Sequence, residues 1–162
     1  NMFGPHQKLY PVRKFIPAFA IQARRNLPIQ VFGDGDQTVD MIYVKDAARV
    51  TIDFLRAGHV DHALDCGTGK ATTVNEVAEA VNRFFGSCAG IQHLPMRRGE
   101  SERTVVRASI GPLQDLLGPI AFTPLEQALE ATLRWYADLD DHAIDAALAY
   151  HGIHQPYGVA WS

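Results

Sequence analysis

The chain has 162 residues, 47% of them apolar and 20% charged, with a net charge of −3. These values fit an ordinary globular protein of one domain, or one domain with an appendage, long enough to bury a sizeable core. The mild charge gives no footprint for nucleic acid or an anionic membrane, and no run of eighteen apolar residues or signal-peptide pattern is present. Two cysteines, Cys66 and Cys88, stand outside any C-x-x-C pair, so a reduced, cytosolic setting is the default.

Tyr10 to Arg13 reads as a connecting loop. Pro17 suits the first turn of a helix, where its missing N–H costs nothing, and that helix runs through Phe19, Ala20 and Ala23 until Pro28. Ile29–Phe32 and Met41–Val44 read as strands. Between them, Gly33-Asp34-Gly35-Asp36 is the densest turn signal in the chain, and a loop of this length is one that carries function. Asp46 is placed to cap a helix over 47–57, with Ala47, Val50, Phe54 and Leu55 on its apolar face and Gly58 at its end. Ala63–Cys66 reads as a short buried strand.

Thr73-Val74-Asn75-Glu76 is a capping box opening a helix whose stripe is Val74, Val77, Ala78, Val81 and Phe85, closed by Gly86. Ile91–Leu94 is a further strand. Ser109 is expected to cap a short helix carrying Leu113, Leu116 and Leu117, closed by Gly118. Thr123-Pro124-Leu125-Glu126 reads as a second capping box, before a helix burying Leu125, Leu129 and Leu133. Asp140–Tyr150 reads as one more helix with Ile144 and Leu148 inward, and His154–Ser162 reads as an irregular tail. No repeat or low-complexity block appears.

Several chemistry-bearing patterns fail on inspection. Gly67-Thr68-Gly69-Lys70 lacks the upstream glycine of a phosphate loop, and Ala71 stands where Mg²⁺ would meet a hydroxyl. Asp34, Asp36, Thr38 and Asp40 alternate like a calcium loop, but Val39 and Lys45 occupy the places of its glycine and glutamate. The pairs His59/His62 and His151/His154 have no Cys or carboxylate at zinc-like spacing. Tyr10 and Lys14 match Y-x-x-x-K by letter, yet Pro11 and Pro17 keep them off one helical face.

Four collinear stretches carry a resemblance. They are Asn1-Met2-Phe3-Gly4-Pro5-His6-Gln7; Gly33-Asp34-Gly35-Asp36-Gln37-Thr38-Val39-Asp40 with Ile42-Tyr43-Val44; Ala63-Leu64-Asp65-Cys66-Gly67-Thr68-Gly69; and Arg97-Arg98-Gly99-Glu100 with Leu116-Leu117-Gly118. Together they resemble the C-terminal part of extended short-chain dehydrogenases, the NAD-dependent nucleotide-sugar epimerases and dehydratases, of the UDP-glucose 4-epimerase kind. The resemblance implies an α/β fold, a small mixed sheet with flanking helices, lacking most of the Rossmann domain. It assigns 1–137 to the substrate-binding portion and leaves 138–162, a helix and tail, outside the match. Since Asn1 falls inside a motif, it also implies further sequence upstream.

The same resemblance proposes a nucleotide-diphosphate sugar as ligand. Arg97 would grip the diphosphate, a task suited to a guanidinium fork. Glu100 would accept from a sugar hydroxyl. Phe32 would lie against the base, an interaction worth about 1–3 kcal/mol. Asn1 would meet the donor near the sugar, and Lys14 would add a polar contact. For Phe32 the alternative is a core residue at a strand end; for Glu100 it is a surface residue, and for Lys14 an ordinary surface lysine is the preferred reading. Val39 stands where the family carries a second diphosphate-binding Arg, so Lys14, Arg13 or Arg98 compensates or the donor binds differently.

NAD serves the family, but no glycine fingerprint and no catalytic Tyr-Lys pair is read in this chain, since the family pair lies upstream of the first motif. No catalytic, cofactor-binding or metal-ligating residue is therefore assigned, and the chain alone is expected to hold no NAD and turn nothing over. Ala63–Cys66, read as a strand of the absent domain, would lack its neighbours, which suggests a homo-oligomer, a swapped assembly or the missing N-terminal Rossmann segment as its partner. The alternative functions are a non-catalytic binding or assembly module of the same fold, or one half of a split enzyme.

Overall fold

Hydrophobic spacing and turn chemistry place most of the elements. The computed structural model describes residues 1–58, 62–101 and 103–153. In chain order the elements are β1 (Met2–Phe3), α1 (Phe15–Arg24), β2 (Ile29–Phe32), β3 (Thr38–Asp40), β4 (Ile42–Tyr43) and α2 (Val44–Ala57). There follow β5 (Ala71–Thr73), α3 (Val74–Phe85), β6 (Ile91–Leu94), β7 (Val105–Val106), α4 (Gly111–Leu117), α5 (Leu125–Ala137) and α6 (Asp141–Tyr150). The architecture is mixed α/β with three small sheets. β1 runs parallel to β4, β2 runs parallel to β6, and β3 lies between antiparallel β5 and parallel β7.

The core forms where α1 and α3 cover β2 and α5 packs on both helices. Phe19, Ala20 and Ala23 of α1 meet Val77, Ala78 and Val81 of α3 and Leu129, Leu133 and Tyr136 of α5 over Ile29 and Val31. Tyr136 is fully buried, and its hydroxyl donates to the Gln7 carbonyl at 2.8 Å, which satisfies the polar end of an otherwise apolar ring. Burial raises the Tyr136 phenol far above its ordinary pKa. A second cluster joins Ile21 and Leu27 to Ile144, Ala147, Leu148 and Ile153, so α6 packs on α1. Arg24 reinforces that junction by donating to the Tyr136 and Leu139 carbonyls, while Arg25 pairs with Asp141 and Asp145.

The capping box at Thr73 is formed in both directions, and Gly86 closes α3 in the left-handed region. Asp140 caps α6 through the N–H groups of His142 and Ala143. Other expectations are corrected. Strand Met41–Val44 shortens to Ile42–Tyr43, because Val44 already opens α2. Asp46 therefore sits inside the first turn rather than capping. Its carboxylate accepts from the Thr123 N–H at 2.7 Å and from Arg49 at 3.0 Å. Thr123 is drawn away from the second capping box by that bond; Pro124 takes the N-cap place with no side-chain bond. Ser109 does not cap α4 either. Its N–H donates to Asp65, and Ile110 precedes the helix.

Ala63–Cys66 forms no strand and is not buried: Ala63, Asp65 and Cys66 are exposed. A strand needs a neighbour to pair its N–H and C=O groups, and among the described strands none lies beside it. The outer half of α2 is likewise open, with Leu55 72% exposed although it reads as part of an apolar face. Among the described residues, no helix is long and apolar enough to cross a membrane.

Candidate functional site

Strand alternation builds the floor of the site. In β2, Ile29 and Val31 turn into the core, so Gln30 and Phe32 share the opposite, half-exposed face. The β2–β6 register sets Phe32 beside Leu94, and the Gly33 N–H closes on the Leu94 carbonyl at 2.8 Å. The chain leaving β6 then turns back over Phe32, where the Glu100 N–H meets the Arg97 carbonyl at 3.0 Å. On the other side, the Gly33–Asp36 loop is held by the Gln37 amide, which donates to the Phe32 carbonyl, and by Asn75, which donates to Asp34 and Asp36. Gly35 has φ +80 and packs directly on Asn75, leaving no room for a Cβ.

These walls enclose a cleft of about 520 Å³, within the range of a small-ligand site. Of the five residues singled out in the sequence, Asn1, Phe32, Arg97 and Glu100 line it. Lys14 does not; it is exposed on the approach to α1, where its carbonyl accepts from the Ala18 N–H. Its neighbour Arg13 lines the cleft instead. The Arg97 guanidinium carbon lies 4.7 Å from the Phe32 ring centre and that of Arg13 lies 5.2 Å away, both within cation–π range. Arg97 is also paired with Glu100, through Nε at 3.1 Å and Nη2 at 3.0 Å. Arg13 is half-buried and donates to the neutral Gln30 side chain at 3.0 Å. Burial, and then the positive charge of Arg97, hold its pKa below the ordinary arginine value.

Val39 also faces the cleft and adds no charge. Residues that the sequence did not single out are Gln30, Gln37, Ser101 and Thr104 on the polar side and Phe15 and Phe19 on the apolar side. Gln30 was legible as the partner of Phe32 in a two-residue period. Ser101 and Thr104 sit in a loop with no periodic signal. A second cleft of about 610 Å³ lies near β5 and α5, and among the described residues Lys70 is the one charged side chain in its lining. The pairing of two cations with an aromatic ring distinguishes the Phe32 cleft.

The Gly67–Lys70 turn makes a contrasting use of backbone donors. Asp40 is 3% exposed, and its carboxylate accepts from the Thr68 N–H and hydroxyl, the Gly69 N–H and the Ala108 N–H, at 2.7–3.1 Å. Burial alone would raise the Asp40 pKa, but the hydrogen bonds from Thr68, Ala108 and Gly69 outweigh it and leave the carboxyl below its usual value. A turn whose N–H groups are committed to an internal carboxylate does not fit a dinucleotide pyrophosphate. Among the described residues, no group of three or more His, Cys, Asp or Glu is arranged to hold a metal ion. His59 and His154 lie outside the described residues, and His151 bonds the Leu9 carbonyl.

Residues 1–67 match the model of the NAD dependent epimerase/dehydratase family. A UDP-N-acetyl-alpha-D-glucosaminuronate decarboxylase of Bacillus cytotoxicus is 26% identical over 145 residues, 87% of this chain and 45% of that enzyme. An ADP-L-glycero-D-manno-heptose-6-epimerase of Nitratidesulfovibrio vulgaris is 35% identical over 115 residues, 68% of this chain and 35% of that enzyme. Among solved structures, an epimerase from Methanothermobacter thermautotrophicus superposes with a TM-score of 0.79 at 29% identity, covering 85% of this chain and 41% of that one. The chain spans less than half the length of each of these relatives.

Proposed function

The chain belongs to the NAD-dependent epimerase/dehydratase family, and from that premise we propose that it holds the nucleoside diphosphate of a sugar donor in the Phe32 cleft. The observation that carries this reading is a guanidinium, Arg97, set 4.7 Å from an aromatic ring inside a cleft of about 520 Å³. Phosphate oxygens match a guanidinium in charge and fork geometry. Phe32, with Phe15 and Phe19 beside it, gives the base an apolar wall. Glu100 keeps its pairing with Arg97 until a donor arrives, then accepts from a sugar hydroxyl. Asn1 closes the sugar end. The names of the relatives include both UDP and ADP sugars, so the choice of base rests on the wall rather than on the phosphate grip.

In this reading NAD supplies hydride transfer at a sugar carbon, and this chain supplies affinity and orientation, which lower the barrier by fixing the reacting geometry. A thermal-shift panel of UDP-, ADP-, dTDP-, GDP- and CDP-sugars tests it, because a ligand that binds the folded state alone raises the melting temperature. At least one nucleotide sugar raises the transition, and Arg97→Ala reduces the shift. A flat response across the panel refutes the reading. Titration calorimetry with NAD on the isolated chain checks the division of labour; the expected result is no heat of binding.

A further inference from the structure

We propose that Arg13 is the second phosphate-binding cation of this cleft, so that Arg13 and Arg97 grip the two phosphates of a nucleoside diphosphate from two separate loops beside one aromatic ring. The inference rests on the nucleotide-diphosphate reading above and assigns the second grip to a residue from the loop before α1.

Three observations lead to it. The first is placement. Phe32 stands within 5.2 Å of one guanidinium and 4.7 Å of the other, both line the same cleft, and the charge of Arg97 is felt at Arg13. The second is the way Arg13 is aimed. Gln22 is fully buried in α1, its Nε2 donates to the Pro28 carbonyl at 3.0 Å and its Oε1 accepts from the Gln30 N–H at 3.5 Å. The Gln30 side chain, fixed on the same strand face as Phe32, then accepts from Arg13 Nη2 at 3.0 Å. A flexible arginine is thus anchored from the core outward, which limits the rotamer freedom lost on binding.

The third observation is charge. Among the described residues, the cleft is lined by two arginines and one carboxylate, Glu100, and both Glu100 oxygens face Arg97. Among the described residues, the Arg13 partner is a neutral amide. Two like charges near one ring repel, and a diphosphate offsets that repulsion with one phosphate for each guanidinium. Arg13 therefore favours a ligand with two phosphates over a ligand with one.

The test is titration calorimetry with UDP, UMP, ADP and AMP on wild type, Arg13→Gln and Arg13→Lys, with melting temperatures measured without ligand. In Arg13→Gln, the preference for the diphosphate over its own monophosphate falls by about 10- to 100-fold, the scale of one charge-assisted contact. Arg13→Lys, which keeps the charge and loses the fork, restores part of that preference. Arg13→Gln binding UDP or ADP as wild type does, or losing di- and monophosphate by the same factor, overturns the assignment of Arg13 and leaves the nucleotide reading standing. Wild type that binds none of the four probes overturns both.

Discussion

At Asp40 the chain wraps three backbone N–H groups and a hydroxyl around its own carboxylate. Around Phe32 it brings two guanidiniums to an open cleft with, among the described residues, one carboxylate. Both regions gather positive potential in glycine-rich surroundings, and both fall in stretches that resemble family motifs. The difference is that the first closes around a partner within the chain and the second opens on a cleft. A charge whose partners all come from the chain holds segments together, whereas a charge left facing solvent space is free to recognise something else.

The largest effect tests the closed region. Asp40→Ala removes the acceptor of three backbone donors drawn from 68, 69 and 108, and leaving buried donors unpaired costs about 1–3 kcal/mol each. A total loss of about 3–5 kcal/mol is expected from urea denaturation midpoints. A loss below about 1 kcal/mol would show that the two segments do not depend on Asp40. The next largest tests the open region. Arg97→Ala weakens binding of the responding nucleotide sugar by about 1.5–3 kcal/mol, read by calorimetry. The ligand-free melting temperature stays within a degree or two, because the Arg97–Glu100 pair is half-exposed and contributes little to stability.

A pH series sharpens the contrast further. Asp40 and Asp46 both titrate below their usual values in the folded chain. For Asp46, as for Asp40, burial opposes the shift; the Thr123 N–H and Arg49 outweigh it. A carboxyl depressed by folding stabilises the native state above its unfolded pKa of about 4 and loses that contribution as pH falls through the folded value. Stability should therefore drop on acidification below about pH 4, and Asp40→Asn should flatten the decline. The smallest effect is at Glu100→Gln, where stability should change by less than about 0.5 kcal/mol; a larger loss in thermal melts would mean that this pair is structural.

Much of this was legible in the sequence where the signal is local. The capping box at Thr73, the Gly86 stop, the alternation of Ile29–Phe32 and the packing of Ile144 and Leu148 follow from neighbours within a few residues. What was missed is decided at a distance. Thr123 matches a capping box by letter, but Asp46, 77 residues away, takes its N–H. β1, β3, β5 and β7 are strands of two or three residues, too short for a periodic signal, and exist because partners far along the chain complete their ladders. In the cleft, Arg97 and Phe32 were reached through motif resemblance, whereas the choice of Arg13 over Lys14 turned on Gln30, a contact between loop and strand.

β7 shows what such brevity achieves. Val105 is 73% exposed and Val106 44%, on the outer edge of the three-stranded sheet, a row of unpaired backbone groups beside apolar side chains. A longer strand of this composition would template stacking between molecules in a concentrated solution. Two residues offer too little ladder for that, and Arg103 and Arg107, exposed at either end, act as gatekeepers whose charge repels an approaching copy. Resistance to stacking at this edge is thus expected from a short strand and its flanking arginines rather than from the net charge of the chain.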